Sequence, residues 1–355
     1  MHRSYLNTQF RQLSATTALV SALALAAPAD ADPSLYRFET VDVPRAPGTA
    51  VAGINAFGAI VGSFGGLHPG DPTPLQGFIR SGNRFDTIDV PHAIDTTAQA
   101  INAFGTIVGS FDDSRPHGYI RNINGRFTTV DVPTATLGTS ITGINNFGTI
   151  VGSFTNATNG HGFVRQRNGQ FVTVDVPGAI STDVAGINDF GTLAGFFDTN
   201  SGTRGFVRDQ HGNFTTIDVP GSGNTDVLGI NNLGQIVGVF NASPSNPGEH
   251  GFLLSFGRFT EIDVPDAAST DALAVNDFGV IVGSYFDKAG NVHGFIATPF
   301  FVGLPGKDDC FGQSVAGLNH TFGGPAGAAA ELGFAGIEAM QHAIFEHCGD
   351  NVPTS

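Results

Sequence analysis

The sequence predicts an all-β protein: a six-bladed β-propeller of four-stranded antiparallel blades, closed by its N-terminal strand and followed by a small C-terminal α-helical appendage. Three observations carry that prediction. The stretch GINNFGTIVGSF, residues 143–154, recurs in close copies six times. Each copy resolves into four short apolar segments separated by turn residues. An isolated segment of the fourth type precedes the first copy, and the last copy lacks one.

With the isoleucine of GIN as marker, the copies fall at Ile54, Ile101, Ile144, Ile187, Ile230 and Val275, with spacings of 47, 43, 43, 43 and 45 residues. A period of this length marks a repeat architecture. In the third copy the segments are SITGIN, TIVGSF, HGFVRQ and FVTVDV, bounded by Gly, Asn or Pro and without helical periodicity. The first two are joined by NNFG and the last two by RNG, connections short enough to force hairpins. Each copy is therefore a four-stranded meander. Such a sheet, apolar on both faces, is stable only when stacked, and six around an axis bury every face. The strand RFETVDVP at 37–44 is expected to complete the sixth blade, whose own last segment is HGFIATP at 293–299. That pairing joins the two ends of the ring and removes an exposed edge.

Residues 1–31 read as a secretory signal. Arg3 and Arg11 precede an apolar run from Leu13 to Ala27, and Ala29-Asp30-Ala31 supplies the cleavage site. Residues 32–299 form the propeller and residues 300–355 the appendage. The chain is thus expected to be exported, to the periplasm or beyond the cell, and not to span a membrane. A formal charge of -15 argues against a nucleic-acid partner, which needs a basic face. Glycine at 49 of 355 residues and a charged content of only 13% suit short strands and tight turns.

The repeated pattern GIN(N/D)FGTIVGSF, HGF(V/I)R and FTT(I/V)DVPGA resembles the HAF-type extracellular repeats of bacterial proteins over residues 37–299. The resemblance implies export and a propeller-like fold and names no activity. Gln76 and Arg204 replace the repeat histidine in two copies.

Columns shared by all six copies read as framework. Thr49, Thr96, Thr139, Thr182, Thr225 and Thr270 precede the marker by five residues, and an asparagine always follows it, as Asn55 and Asn145 do. The asparagine suits bonding to its own turn, and the glycine of NNFG supplies positive φ. Asp-Val-Pro, as at Asp131, Val132 and Pro133, stops pairing at the end of each fourth strand. Four aromatic columns hold 21 of the 31 phenylalanines together with Tyr119 and Tyr285, and are read as inter-blade core. His117, His161, His250 and His293 open third strands too far from the axis to share one metal. No nucleophile elbow, zinc-protease motif or phosphate loop occurs.

The C-terminal stretch changes to helical spacing. Phe311, Val315, Leu318 and Phe322 line one face, and Ile337, Met340, Ile344 and Cys348 another, with Gly349 as cap. It resembles a small cysteine-bracketed module that ends other exported bacterial proteins. Cys310 and Cys348 are expected to pair, closing a loop worth about 4 kcal/mol in the chain-entropy model.

One charged pattern stands apart from the framework. Immediately after the invariant threonine come Ala50, Thr97, Ser140, Asp183, Asp226 and Asp271, which places three carboxylates on three consecutive blades. Two readings remain open. The aspartates converge at the channel rim on a cation such as Ca²⁺ or on a polyhydroxyl ligand, or each bonds its own backbone and faces solvent. No other cofactor is expected. Two functions are carried forward: a non-catalytic binding module for extracellular polysaccharide or envelope components, and a propeller hydrolase or lyase with an axial, Ca-dependent site.

Overall fold

The computed structural model describes residues 35–68, 71–157, 159–241, 248–301, 310, 313–315, 318, 325–331, 334 and 336–348. The expected export signal and the Gly349 cap lie outside them. Among the described residues, twenty-four strands form six antiparallel four-stranded sheets, and in five of these the strands follow chain order. Blade 1 comprises Thr49–Ile54, Ile60–Phe64, Gln76–Ser81 and Arg84–Ile88. Blades 2 to 5 repeat this order from Asp95, Gly138, Ser181 and Thr225.

Blade 6 closes the ring as the sequence predicts. Its strands Ser269–Val275, Ile281–Phe286 and Val292–Pro299 are completed by Tyr36–Val41, which pairs antiparallel to the last of them from Tyr36 opposite Pro299 to Val41 opposite Gly294. An ion pair from Arg80 of blade 1 to Glu39 of this closing strand, at 2.9 Å, links the first blade to the sixth.

The cores lie between blades. One cluster joins Val108, Val130 and Val132 of blade 2 to Ile141, Ile150 and Phe163 of blade 3, and the other seams follow the same plan. Phe78, Tyr119, Phe163, Phe206, Phe252 and Phe295, one per blade, are almost wholly buried and dominate these seams.

Alternating hairpins give the ring two distinct faces. The upper face carries the starts of the first strands and the connections from second to third strand and from blade to blade. The lower face carries the two hairpin turns of every blade. Each upper seam is pinned by the invariant threonine, whose hydroxyl accepts the amide of the preceding Asp-Val-Pro valine, as in Val43 to Thr49 at 2.9 Å and Val132 to Thr139 at 3.0 Å. Each lower seam is pinned by the invariant asparagine, whose amide group donates to the carbonyl of the next asparagine. The six bonds run Asn55 to Asn102, Asn145, Asn188, Asn231, Asn276 and back to Asn55, at 2.9–3.3 Å. Meanwhile each Oδ1 accepts two amides of its own turn, such as Phe147 and Thr149 for Asn145. The sequence reading foresaw the bonds to the turn but not the closed ring.

The glycine eight residues after the marker answers a contact. A Cβ at Gly62 would lie 2.0 Å from the Ala50 carbonyl oxygen, and one at Gly283 would lie 1.8 Å from that of Asp271. First and second strands press together there, beside the register shift that each first strand makes.

The appendage contains helices Pro325–Glu331 and Ile337–Cys348. Its core holds Cys310, Leu318, Ala328, Met340, Ile344 and Cys348, with Phe300, just past the last propeller strand, and Leu35 of the propeller packed against it. Cys310 and Cys348 are bonded, with their Cα atoms 5.7 Å apart. Ile337 departs from the expected apolar face: it is 41% exposed at the start of its helix. Of the expected run from Phe311 to Phe322, both phenylalanines lie outside the described residues.

Removing residues 35–46 takes away the fourth strand of blade 6, the Arg80 partner and the amide that caps Thr49. The truncated protein is expected to melt well below the full chain in a single lowered transition. An unchanged midpoint would show that the closing strand contributes nothing.

Candidate functional site

The four repeat histidines sit on the upper face and each is bound within its own blade. Their Nδ1 atoms reach the carboxylates of the fourth-strand aspartates: His117 to Asp131 at 2.8 Å, His161 to Asp175 at 3.0 Å, His250 to Asp263 at 2.5 Å and His293 to Asp42 at 3.0 Å. Each ring also lies against the second-strand aromatic, as His117 stacks on Phe111 and His293 on Tyr285. The two departures make the same tie with other chemistry, for Gln76 bonds Asp89 at 3.3 Å and Arg204 bonds Asp218 at 3.1 Å. The histidine column therefore locks third to fourth strand, the framework role its repetition implied.

Asp183, Asp226 and Asp271 occupy the same column on blades 4, 5 and 6, opposite Phe196, Val239 and Ser284 on the second strands. Their surroundings differ. Asp271 is buried, whereas the other two are half-buried. Burial drives the Asp271 carboxyl well above the ordinary range; the charges of Glu249, Asp226 and Asp263 push it further, and the Ser284 hydroxyl opposes them.

Glu249 is the participant that sequence reasoning missed. It opens the third strand of blade 5, next to His250, and burial pushes its carboxyl up to about 7 against the opposing bond from Asn241. Its column reads Leu75, Pro116, Gly160, Thr203, Glu249 and Val292, so a charge in an otherwise uncharged column was the available signal. The acidic centre thus lies at the seam of blades 5 and 6, made by Asp226, Glu249 and Asp271. Burial and mutual repulsion favour the protonated form of Glu249 and Asp271 here, and an added positive charge would relieve the same repulsion.

Among the described residues, one group of three or more possible metal ligands brings its donor atoms within 4.8 Å of one another: His250, Glu261 and Asp263 of blade 5. The aspartate arc is not such a group. In blades 2 and 6 a further acid approaches the histidine from its Nε2 side, Asp113 at 3.4 Å and Asp287 at 3.6 Å, whereas Glu261 comes to His250 on the Nδ1 side that Asp263 already holds, at 3.5 Å. The Glu261 carboxyl is raised by burial first and then by Asp263, while His250 lowers it.

The lower face corrects the reading of all four aromatic columns as core. Three columns pack inside, but the one in the NNFG turn does not. Phe57, Phe104, Phe147, Phe190 and Phe278 are 55–81% exposed, and Leu233 holds the sixth position. The physical reason is local: this residue sits at the turn between the buried asparagine and a positive-φ glycine, such as Gly148 at 79°, beyond the end of the sheet. Inside this ring Asn146, Asp189, Asn232 and Asp277 bond in series from blade 3 to blade 6, as Asn146 Nδ2 donates to Asp189 at 2.8 Å and Asn232 Nδ2 to Asp277 at 2.9 Å.

No family model and no curated protein sequence matches the chain. Solved structures with a similar course of the chain include a streptogramin B lyase, 16% identical with a TM-score of 0.44, over 73% of this chain and 87% of that one. A luciferin-regenerating enzyme is 13% identical with a TM-score of 0.48, over 74% and 95% of the two chains. TolB from Acinetobacter baumannii is 12% identical with a TM-score of 0.46, over 71% and 64%. The blades themselves define the class, a six-bladed β-propeller with a disulfide-bonded helical appendage. No described helix is long and apolar enough to cross a membrane.

The acidic seam has a pH signature. A carboxyl whose folded pKa is raised keeps a proton that the unfolded chain releases, so stability falls as pH rises from 4.5 towards about 7 for Glu249. Below that window the contribution vanishes. Glu249→Gln is expected to melt several degrees above wild type at about pH 8 and level with it at about pH 4. Parallel melting profiles across that range would contradict the burial of these charges.

Proposed function

We propose that the chain is an exported repeat protein of the HAF type that acts as a non-catalytic binding module for extracellular polysaccharide or another envelope component. What supports this reading most is the division of labour among the side chains. Threonine, asparagine, histidine and aspartate columns hold blades together, which leaves the variable upper loops and the exposed aromatic turns as surface for recognition. The disulfide supports export, since such bonds persist in oxidising compartments.

A second reading has one observation in its favour. A glutamate whose carboxyl is pushed up to about 7 beside Asp226 and Asp271 is poised for acid–base work at an upper-face site. That is the hydrolase or lyase reading, with a hard cation such as Ca²⁺ as the group that would relieve the clustered charge.

One set of measurements separates them. The purified protein is screened against glycan arrays and insoluble envelope polysaccharide, and in parallel for turnover of ester, lactone and polysaccharide substrates with and without calcium. Saturable binding without turnover is expected. Reproducible turnover that Glu249→Gln abolishes would replace the first reading with the second, and calcium heat that Asp226→Ala removes would place a cation at the seam.

A further inference from the structure

The exposed aromatic ring has a shape and a charge environment that together define what it fits. Its residues occupy equivalent turns around one axis, so their tips share a plane perpendicular to that axis. Five phenylalanines at 55–81% exposure leave about 600 Å² of aromatic surface in that plane. Ile123 and Phe256, from the outer hairpin turns of the same face, are 73% and 58% exposed and extend it outward. An apolar patch of this size on one face of a soluble fold marks a contact surface. The turns are also stiff, since each is held by two amides on a buried asparagine, so little order would have to be gained on contact.

The charges around the ring are predominantly positive, although the chain carries a net charge of -15. Third strands end, and fourth strands begin, on the lower face, and these positions hold Arg84, Arg126, Arg165, Arg167, Arg208 and Arg258. Arg165 and Arg208 are spread over Phe171 and Phe214 at 5.7 Å, which keeps their guanidinium groups at this rim. The acids of this face are fewer than its arginines: Asp86 pairs with Arg84 and Glu39 with Arg80, while Asp189, Asp209 and Asp277 keep their charge beside asparagines. The opposite face is acidic, with Asp89, Asp113, Asp175, Asp218, Asp266 and Asp287 at strand ends and loops. The molecule is therefore polarised along its axis.

We infer that the lower face docks onto an anionic lipid surface, with the phenylalanine ring entering the headgroup region and the arginines meeting the phosphates. This rests on the binding-module reading above and names the envelope component it takes. Flatness decides among partners. A single polysaccharide strand would touch one or two of the six turns, whereas a bilayer surface meets all of them at once. The acidic upper face of a second copy is anionic too, but its connections from second to third strand differ in length from blade to blade, so it does not repeat one plane six times. Aromatic side chains with a basic surround are the combination that holds a protein at a charged membrane interface without spanning it.

The test uses purified protein and vesicles of phosphatidylcholine with and without phosphatidylglycerol, read by cosedimentation. Wild type is expected to bind the anionic vesicles, to bind neutral ones far less, and to weaken as salt is raised. The double variant Phe104→Ser/Phe147→Ser is expected to lose at least about tenfold in partitioning, and Arg126→Glu/Arg167→Glu a similar factor. All four side chains lie at turns outside the cores, so melting curves verify that both variants remain folded. No binding to anionic vesicles, equal binding to neutral ones, or full binding by the phenylalanine variant would each overturn the inference. Self-association that the phenylalanine variant loses, with no vesicle binding, would assign the face to a second copy and overturn it as well. Enzymatic turnover in the earlier screen would end the non-catalytic reading while leaving the vesicle result to stand or fall by itself.

Discussion

Six buried asparagines on the lower face of the ring are the constraint on which the rest depends. Each carboxamide donates to the next blade's carbonyl and accepts two amides of its own turn, so each joins one hairpin to the neighbouring one. These polar groups are shielded from water at the place where six backbones converge, and buried backbone groups must be paired within the protein. A closed ring is the arrangement that pairs all of them with one residue per repeat. The threonine bonds do the corresponding work on the upper face, so every blade is held to the next at both ends. The glycines then follow from the spacing so imposed, because the first two strands approach too closely for a Cβ.

With the framework carried by repeated columns, departures from the repeat become informative. On the upper face the departures are acidic: Glu249 stands where other blades have Leu75, Pro116 or Val292, with Asp226 on its own blade and Asp271 across the seam. On the lower face the repeat itself is exposed, as phenylalanines that contribute little to the inter-blade cores. The two faces also differ in sign, so the molecule is oriented by charge as it approaches any charged surface.

The fold was legible because the repeat period, the four segments and the stray N-terminal strand each constrain topology, and the pairing of Tyr36–Val41 with the last strand follows from counting. The histidine ties were legible only as framework, since Asp131 and its equivalents lie on another strand and no local spacing announces the bond. The asparagine ring was hidden for a related reason: a bond between equivalent residues 43 to 47 positions apart, or 221 at the closure, leaves no trace in either repeat alone. Phenylalanine identity misled where position would have served, because the turn residue between Asn and Gly projects past the sheet end while Phe78 and its equivalents lie inside strands. The aspartate column was found, but its unequal burial depends on neighbours such as Glu249 and Ser284 that only the packed seam brings together.

The asparagine ring is tested most directly by denaturant unfolding of Asn188→Ala. That change removes the donor to the Asn231 carbonyl and orphans the Phe190 and Thr192 amides. If the ring carries the fold, the variant loses about 3 kcal/mol in one cooperative transition, and Asn188→Asp, which keeps the acceptors and lacks the donor, loses part of that. A loss below about 0.5 kcal/mol for Asn188→Ala, the size of an ordinary surface substitution, would contradict it.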